Sequence, residues 1–173
     1  MKTSHILIIL LTTTLASLSC KKDNQAVMQE QSMTSCPSGS DCRYLFSEYA
    51  DLNTNFIGFT KGTYRLFWST VDDKLTSTRI YIKAPMEGNR FVLDKADILA
   101  ERVKLIEVCA FCNSLNMKPV DGYVKGTNVS PEKRADQTKW QLEIKLYLES
   151  EDDPLTKDTL TINQHFYPNF VYN

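Results

Sequence analysis

Residues 139–149 read KWQLEIKLYLE, with an apolar side chain at every second position. A period of two is typical of a β-strand that buries one face and exposes the other to solvent. Half-buried strands of this kind occur in antiparallel sheets. The predicted buried face of this strand consists of Trp140, Leu142, Ile144, Leu146 and Leu148.

Shorter alternating segments, separated by turn residues, lie on both sides of this strand. They include residues 41–49, 62–71, 75–83 and 158–166. The pattern predicts an all-β domain of about seven or eight short antiparallel strands, arranged as a sandwich or as a meander barrel. Asp94 precedes an apolar segment and indicates one brief helix over residues 95–101.

After the helix, the apolar run at residues 103–111 predicts a strand that is buried on both faces. The next strand, over residues 120–129, has small and branched residues on one face. These residues leave room for something bulky, either a core side chain such as Trp140 or a ligand. They are Val120, Gly122, Val124 and Gly126.

The clearest hairpin consists of segments 62–71 and 75–83. Its register is predicted by matching apolar faces, which pairs Val71 with Leu75. The other face of the hairpin then carries two arginine–aromatic pairs. These pairs stabilise the hairpin by cross-strand stacking, or they form a binding face. They join Arg65 to Tyr81 and Phe67 to Arg79.

Residues 1–19 have the three-part layout of a secretory signal peptide. Lys2 provides a positive start, residues 6–11 are an unbroken apolar run, and small residues close the segment before Cys20. The apolar run is shorter than the roughly 20 residues that a spanning helix needs. The leader is therefore cleaved, either as an ordinary signal after Ser19 or with Cys20 as a lipidated first residue.

The end of the leader, Ser-Leu-Ser-Cys at residues 17–20, resembles a bacterial lipobox, although Ser17 stands where that pattern prefers leucine. The following residues, Lys-Lys-Asp-Asn at 21–24, resemble the start of many small lipoproteins of Bacteroidota. The resemblance implies export, fatty acyl chains such as palmitate on Cys20, and anchoring in the bacterial envelope at the outer membrane. It implies no particular activity.

The chain has five cysteines, and four remain to form disulfides if Cys20 carries lipid. Two local bridges are predicted because both would close short loops, although cross-pairing stays open. They join Cys36 to Cys42 and Cys109 to Cys112. The alternatives are a metal-thiolate pair at the first two cysteines and thiol-redox chemistry at the Cys-x-x-Cys motif.

Residues 20–35 contain no aromatic side chain and are rich in polar residues. Such a segment cannot bury enough apolar surface to offset the entropy lost on ordering. It is predicted to be a flexible tether between the lipidated cysteine and an all-β domain over residues 36–173.

Two further patterns suggest sites on the surface of this domain. The acidic turn at residues 149–154 has carboxylates that suit Ca²⁺, but it lacks the EF-hand spacing, and a solvated turn is the simpler interpretation. Thr159 lies in an Asp-Thr-Leu sequence that resembles the motif for O-glycosylation of exported Bacteroidota proteins. A threonine at the edge of a strand is the alternative.

The chain carries 20 basic and 21 acidic residues without a basic block, so nucleic acid is not an expected partner. No nucleophile elbow, zinc-protease helix motif, phosphate loop or dinucleotide fingerprint is present in the sequence. No catalytic residue, metal ligand or cofactor is therefore predicted.

The leading hypothesis is a non-enzymatic binding module, anchored to the membrane by lipid, with a glycan or a protein as partner. The first alternative is a small-ligand carrier with a barrel cavity. The second alternative is an envelope enzyme that uses thiol-redox or carboxylate chemistry.

Overall fold

A computed structural model describes residues 32–53, 58–109 and 116–169 of the chain. Residues Gln31–Asn173 form one compact unit. Its elements are β1 (Asp41–Asn53), β2 (Gly58–Lys61), β3 (Tyr64–Asp72), β4 (Thr76–Ala84), β5 (Arg90–Leu93), α1 (Lys95–Leu99), β6 (Val103–Cys109), β7 (Met117–Asn128), β8 (Trp140–Ser150) and β9 (Lys157–Pro168). A single 3₁₀ turn, Ala135–Gln137, precedes β8.

Eight strands form one continuous sheet in the order β5-β7-β8-β9-β1-β3-β4-β6, and β2 pairs with the end of β1. The sheet curls into an open half-barrel, and the prediction of a mostly β domain with one short helix is confirmed for the described residues. Neighbouring strands are antiparallel except β1 and β9, which share a short parallel ladder at Leu45–Tyr167 and Phe46–Pro168.

The predicted buried face of β8 is confirmed, and it lines the concave side of the sheet. Aromatic rings fill one end of this core around Phe67, which has no solvent exposure. Its ring centroid lies 5.4–5.7 Å from four other rings, those of Phe46, Phe91, Trp140 and Phe166.

The predicted register of the β3–β4 hairpin is wrong by three residues. Phe67 pairs with Ile82, and Val71 pairs with Thr78. Because an odd shift exchanges the two faces of a strand, Phe67 points to the core instead of to solvent. The turn is fixed by Asp73, whose carboxylate accepts hydrogen bonds from the backbone N–H groups of Leu75 and Thr76 at 2.7 and 2.6 Å.

The hairpin is buried on both faces because β2 folds back over its convex side. Leu66, Trp68 and Tyr81 form a second, smaller apolar cluster there. The ring of Phe59 in β2 lies 4.5 Å from the ring of Trp68. Apolar residues therefore occupy both faces, and face matching alone does not determine the register.

The prediction that residues 103–111 are buried on both faces is also wrong for the described part of that segment. In β6, Val103 and Leu105 are buried, but Lys104, Glu107 and Val108 are exposed. The strand is the last one in the sheet and pairs only with β4 among the described strands. Edge strands commonly carry such charges.

The space beside Gly126 of β7 is filled by a side chain of the core, whereas Gly122 lies close to the β8 backbone at Lys145 and Leu146. A Cβ atom on Gly126 would overlap the ring of Phe91. The ring of Phe91 in turn lies 5.8 Å from that of Trp140. The predicted space therefore holds Phe91, with Trp140 packed behind it, and glycine allows this close approach.

Hydrogen bonds to the sheet begin before residue 36. Thr34 and Asn163 are joined by two hydrogen bonds of 2.9 Å, one donated by each backbone N–H. The side chain of Gln164 donates a third to the Thr34 carbonyl, also at 2.9 Å. The folded contacts therefore start within the segment predicted to be a tether. Within the described ranges, no helix has the length and apolarity needed to cross a membrane.

Helix α1 depends on its N-terminal cap. The Asp94 carboxylate accepts hydrogen bonds from the backbone N–H groups of Ala96 and Asp97, and the Asp97 carboxylate accepts one from the backbone N–H of Asp94. We expect Asp94→Ala to lower the free energy of unfolding by about 1 kcal/mol, since two N–H groups lose their acceptor. Urea denaturation measures the loss, and Asp94→Ser should restore most of it. An unchanged midpoint for Asp94→Ala would contradict the role of the cap.

Candidate functional site

A cleft of about 580 Å³ lies between α1, β6 and the start of β7. Here β6, the last strand at one end of the described sheet, lies near β7, the second strand from the other end, without pairing with it. Clefts that combine apolar walls with a few polar groups are the usual sites of ligand binding. Its apolar lining consists of Ile98, Leu99, Val103, Leu105, Ile106, Met117, Pro119 and Val120.

Helix α1 connects β5 to β6 and covers one part of this opening. Ile98 is buried in the main core. Lys95 holds the helix to β7 through an ion pair with Asp121 at 2.8 Å. With Ile98 turned inward, Leu99 stays 60% exposed at the side of the cleft. Leu99 is therefore an exposed apolar side chain that a binding partner can contact.

The floor of the cleft belongs to the main core. Val103 and Leu105 of β6 are members of that core, and Met117 of β7 packs against it. The register of β7 against β8 shifts between Pro119 and Asp121, which leaves Val120 as a bulge. A bulge turns side chains away from the regular ladder, although β7 still pairs with β8 on both sides of Val120.

The charges around the cleft are mostly negative. Lys118 and Glu151 pair at 3.8 Å. Although the Glu107 side chain is largely exposed, partial burial of its carboxyl raises the pKa above the ordinary value, and the negative charge of Asp158 raises it further. A cation beside Glu107 would stabilise its ionised carboxylate, because the positive charge would offset both the partial burial and the repulsion from Asp158.

A smaller recess of about 320 Å³ adjoins the cleft at Val120, which lines both. Asp121, Tyr147, Asp158 and Thr159 are part of its lining. The hydrogen bond from Lys95 lowers the pKa of Asp121, and a bond from the Gly122 backbone N–H lowers it further. The two recesses form a continuous surface across the start of β7.

The four residues of the predicted binding face do not share one face. Arg65 and Phe67 are buried, with Phe67 in the main core, and Tyr81 is buried in the convex cluster. Arg79 lies on the convex side with Tyr81 and is half-buried. The shifted register separates the predicted pairs, so this prediction is wrong.

Arg65 is instead buried, and its guanidinium makes its contacts within the domain. Its guanidinium donates to Glu48 at 3.1 Å and to the Met86 carbonyl at 2.9 Å. It also lies 4.4 Å from the centre of the Trp140 ring. These contacts join three separate parts of the chain at one end of the core.

Cys36 and Cys42 form the predicted disulfide, with their Cα atoms 5.9 Å apart. Cys109 ends β6, but Cys112 lies outside the described residues, so that bridge stays a prediction. Cys20 also lies outside them, and its lipidation stays a prediction. Thr159 is exposed in β9, where it pairs with Tyr147. Its glycosylation stays a prediction as well.

The acidic turn after β8 is held by hydrogen bonds of its own. The Asp153 carboxylate accepts bonds from the Leu155 backbone N–H at 3.1 Å and from the Thr156 hydroxyl at 2.8 Å. In the described part of the chain, no group of three or more histidine, cysteine, aspartate or glutamate side chains is placed to hold a metal ion. The two bonds to Asp153 stabilise the turn through side chains of the turn itself.

Comparison of the chain with protein-family models, curated proteins and solved structures finds no match. The cleft is therefore assigned from its geometry alone.

The cleft was not predicted from the sequence, although two signals for it are present there. Lys104 and Glu107 interrupt the apolar run of β6, and Pro119 lies near the start of β7. Charges and proline are typical of strands at the edge of a sheet. Together they indicate that these two segments, although consecutive, do not pair with each other.

Proposed function

We propose that this protein is a non-enzymatic binding module, held at the outer membrane of a bacterial envelope by lipid on Cys20, and that it binds its partner at the cleft. The observation that carries the proposal is the cleft itself, where exposed Leu99 lies beside the apolar floor of β6 and β7. We also interpret the curled sheet as an incomplete meander barrel, because its strand order is continuous from β5 to β6.

The position of the N-terminal segment supports this arrangement. Thr34 bonds to Asn163 and Gln164 of β9, whereas the part of β9 beside the cleft is Lys157–Thr159, which lines the smaller recess. Four residues of extended strand, about 13 Å, separate the two places. A tether that leaves the domain near Thr34 would therefore leave the cleft accessible.

The packing of the core disfavours the carrier with a barrel cavity. Large rings occupy the concave side at one end, among them Phe67, Phe91 and Trp140. A ligand of drug size needs a few hundred Å³. The cleft between α1, β6 and β7 has this volume. The aromatic end of the core is filled by side chains.

The lipid anchor is tested by the intact mass of the protein purified from the membranes of its own host. We expect a chain that begins at Cys20 and carries several acyl chains, because two membrane signals already give stable anchoring. The matched variant Cys20→Ser should lose the acyl mass and leave the membrane fraction. An unacylated wild-type chain would contradict the anchor.

Binding at the cleft is tested on glycan and peptide arrays with three forms of the protein. Leu99→Lys places a charge at the cleft, and Leu75→Lys places the same charge at a residue of similar exposure, 65%, in the β3–β4 turn. We expect a partner class that binds wild type and Leu75→Lys but not Leu99→Lys. Equal binding by all three forms would place the site elsewhere.

A further inference from the structure

The charged side chains around the cleft can be sorted by the face of the sheet to which they point. Side chains alternate along a strand, and paired residues on neighbouring strands point the same way. In β6, Glu107 lies two residues from buried Leu105 and therefore points to the concave side with it. Lys104 lies one residue from Leu105 and points to the convex side.

Asp158 of β9 points to the same concave side as Glu107. It pairs in register with Leu148, which is buried in the main core. The negative charge of Asp158 contributes to the raised pKa of Glu107, so the two carboxyl groups are close enough to interact. Because β6 and β9 are not neighbours in the sheet, this interaction crosses the space inside the curl.

The described part of the chain places no cation on the concave side at this end. Among the arginines and lysines in the eight strands of the described sheet order, only Arg65 points to the concave side. It pairs with Glu48 at the aromatic end of the core. None of the ion pairs between described residues includes Glu107 or Asp158.

The cleft is apolar at its floor and acidic at its mouth. Ile98, Val103 and Leu105 are buried, whereas the Glu107 side chain is largely exposed. Two residues of a strand span about 7 Å, so Glu107 lies within reach of a group attached to an apolar body on Leu105. The volume of about 580 Å³ is in the range of sites for small organic ligands.

This arrangement selects the charge of the ligand. An anion would bring like charges together at Glu107 and Asp158, which weakens binding. A neutral apolar molecule would cover the floor but leave the two carboxylates without an opposite charge. A positive group at one end of an apolar body satisfies both parts of the cleft.

We propose that the cleft binds a small amphipathic cation, a molecule with an apolar chain and one ammonium group. This inference rests on the proposed function and names the class of its ligand. The apolar chain lies on the floor beside Leu105 and Met117, and the ammonium group lies at the mouth, where Glu107 and Asp158 supply the opposite charge.

The test compares three ligands that share one alkyl chain and differ in charge, namely octylammonium, octanol and octanoate. It uses the full chain with Cys20→Ser, which carries no acyl group at that residue and is studied without detergent. Titrations followed by the amide NMR signals measure each affinity and locate the bound ligand.

We expect octylammonium to bind at least about fivefold more tightly than octanol, and octanoate to bind most weakly. Glu107→Gln should reduce the preference for octylammonium over octanol to less than about twofold, and Asp158→Asn should change it in the same direction. Glu132→Gln is the matched control in the exposed loop before β8 and should leave the preference unchanged.

The position of the alkyl chain is tested separately from the charge. Leu99→Lys should weaken octanol binding by about threefold, because it removes an apolar contact, and Leu75→Lys should weaken it by less than about twofold. The amide signals of β6 and of the start of β7 should shift most when octylammonium is added.

Several results would overturn the inference. Equal affinity for octylammonium and octanol, tighter binding of octanoate, or an unchanged preference in Glu107→Gln would show that the cleft does not select a cation. If octanol, a glycan or a peptide nevertheless binds in a manner that depends on Leu99, the charge inference is wrong while the proposed binding function stands. If nothing binds in that manner, both are wrong.

Discussion

Phe67→Ala should lower the free energy of unfolding by about 4 kcal/mol, because it removes the ring at the centre of the aromatic core. Phe67 has no solvent exposure and contacts rings from four other strands. The cavity left behind cannot collapse easily, since two of those rings, Phe91 and Trp140, also pack against each other. In a domain of this size, such a loss lowers the melting temperature by roughly 10 °C.

Phe59→Ala is the matched control, since it also removes a phenylalanine that stacks on another ring. Phe59 is 36% exposed and covers the smaller convex cluster, so we expect less than about half the loss. Calorimetry and urea denaturation measure both variants, and Phe67→Leu provides a milder change if Phe67→Ala does not fold. Equal losses at the two positions would contradict the assignment of Phe67 to the main core.

The sequence predicted those features that depend on residues close together in the chain. The alternation of β8 identified its buried face, and Asp94 identified the start of α1. In both cases, the deciding interactions are between neighbours or follow directly from the period of the backbone. The local disulfide between Cys36 and Cys42 belongs to the same group.

The features that were missed depend on distant parts of the chain. The register of β3 and β4 could not be obtained from apolar faces, because β2 covers their convex side. Trp68 on that side is 6% exposed and Phe67 in the main core is 0% exposed, so both faces of β3 are apolar and buried. The cleft depends on the strand order of the described sheet, in which β6 is the last strand at one end and β7 is the second strand from the other end, next to the short β5. Strand order is set by tertiary packing, which a local pattern does not record.

Arg65→Ala is expected to lower the free energy of unfolding by about 4 kcal/mol, even though it removes a charged residue. The Arg65 side chain is only 7% exposed, and its ion-pair partner Glu48 is 32% exposed. Breaking a buried pair leaves its partners unsatisfied and typically costs about 3–5 kcal/mol. Here the Pro85 and Met86 carbonyls would also lose their donors.

Two further substitutions separate the charge of Arg65 from its shape. Arg65→Lys keeps the charge, but its three donors share one nitrogen and cannot reach the separate places that the guanidinium nitrogens of Arg65 reach at Glu48, Pro85 and Met86. It also gives a weaker contact over the Trp140 ring, so it should recover less than half of the loss. Glu48→Gln keeps an acceptor for the guanidinium and should cost about 1–2 kcal/mol.

The matched control is Arg43→Ala, which removes another arginine from an adjacent strand. Arg43 pairs with Asp72 at 2.6 Å, a shorter distance than that between Arg65 and Glu48, but its side chain is 55% exposed. Solvent screens such a pair, so we expect only a small fraction of the loss seen for Arg65→Ala. Urea denaturation of the four variants ranks them. If Arg43→Ala costs as much as Arg65→Ala, then ion-pair distance and not burial determines stability here, and the structural role assigned to Arg65 is wrong.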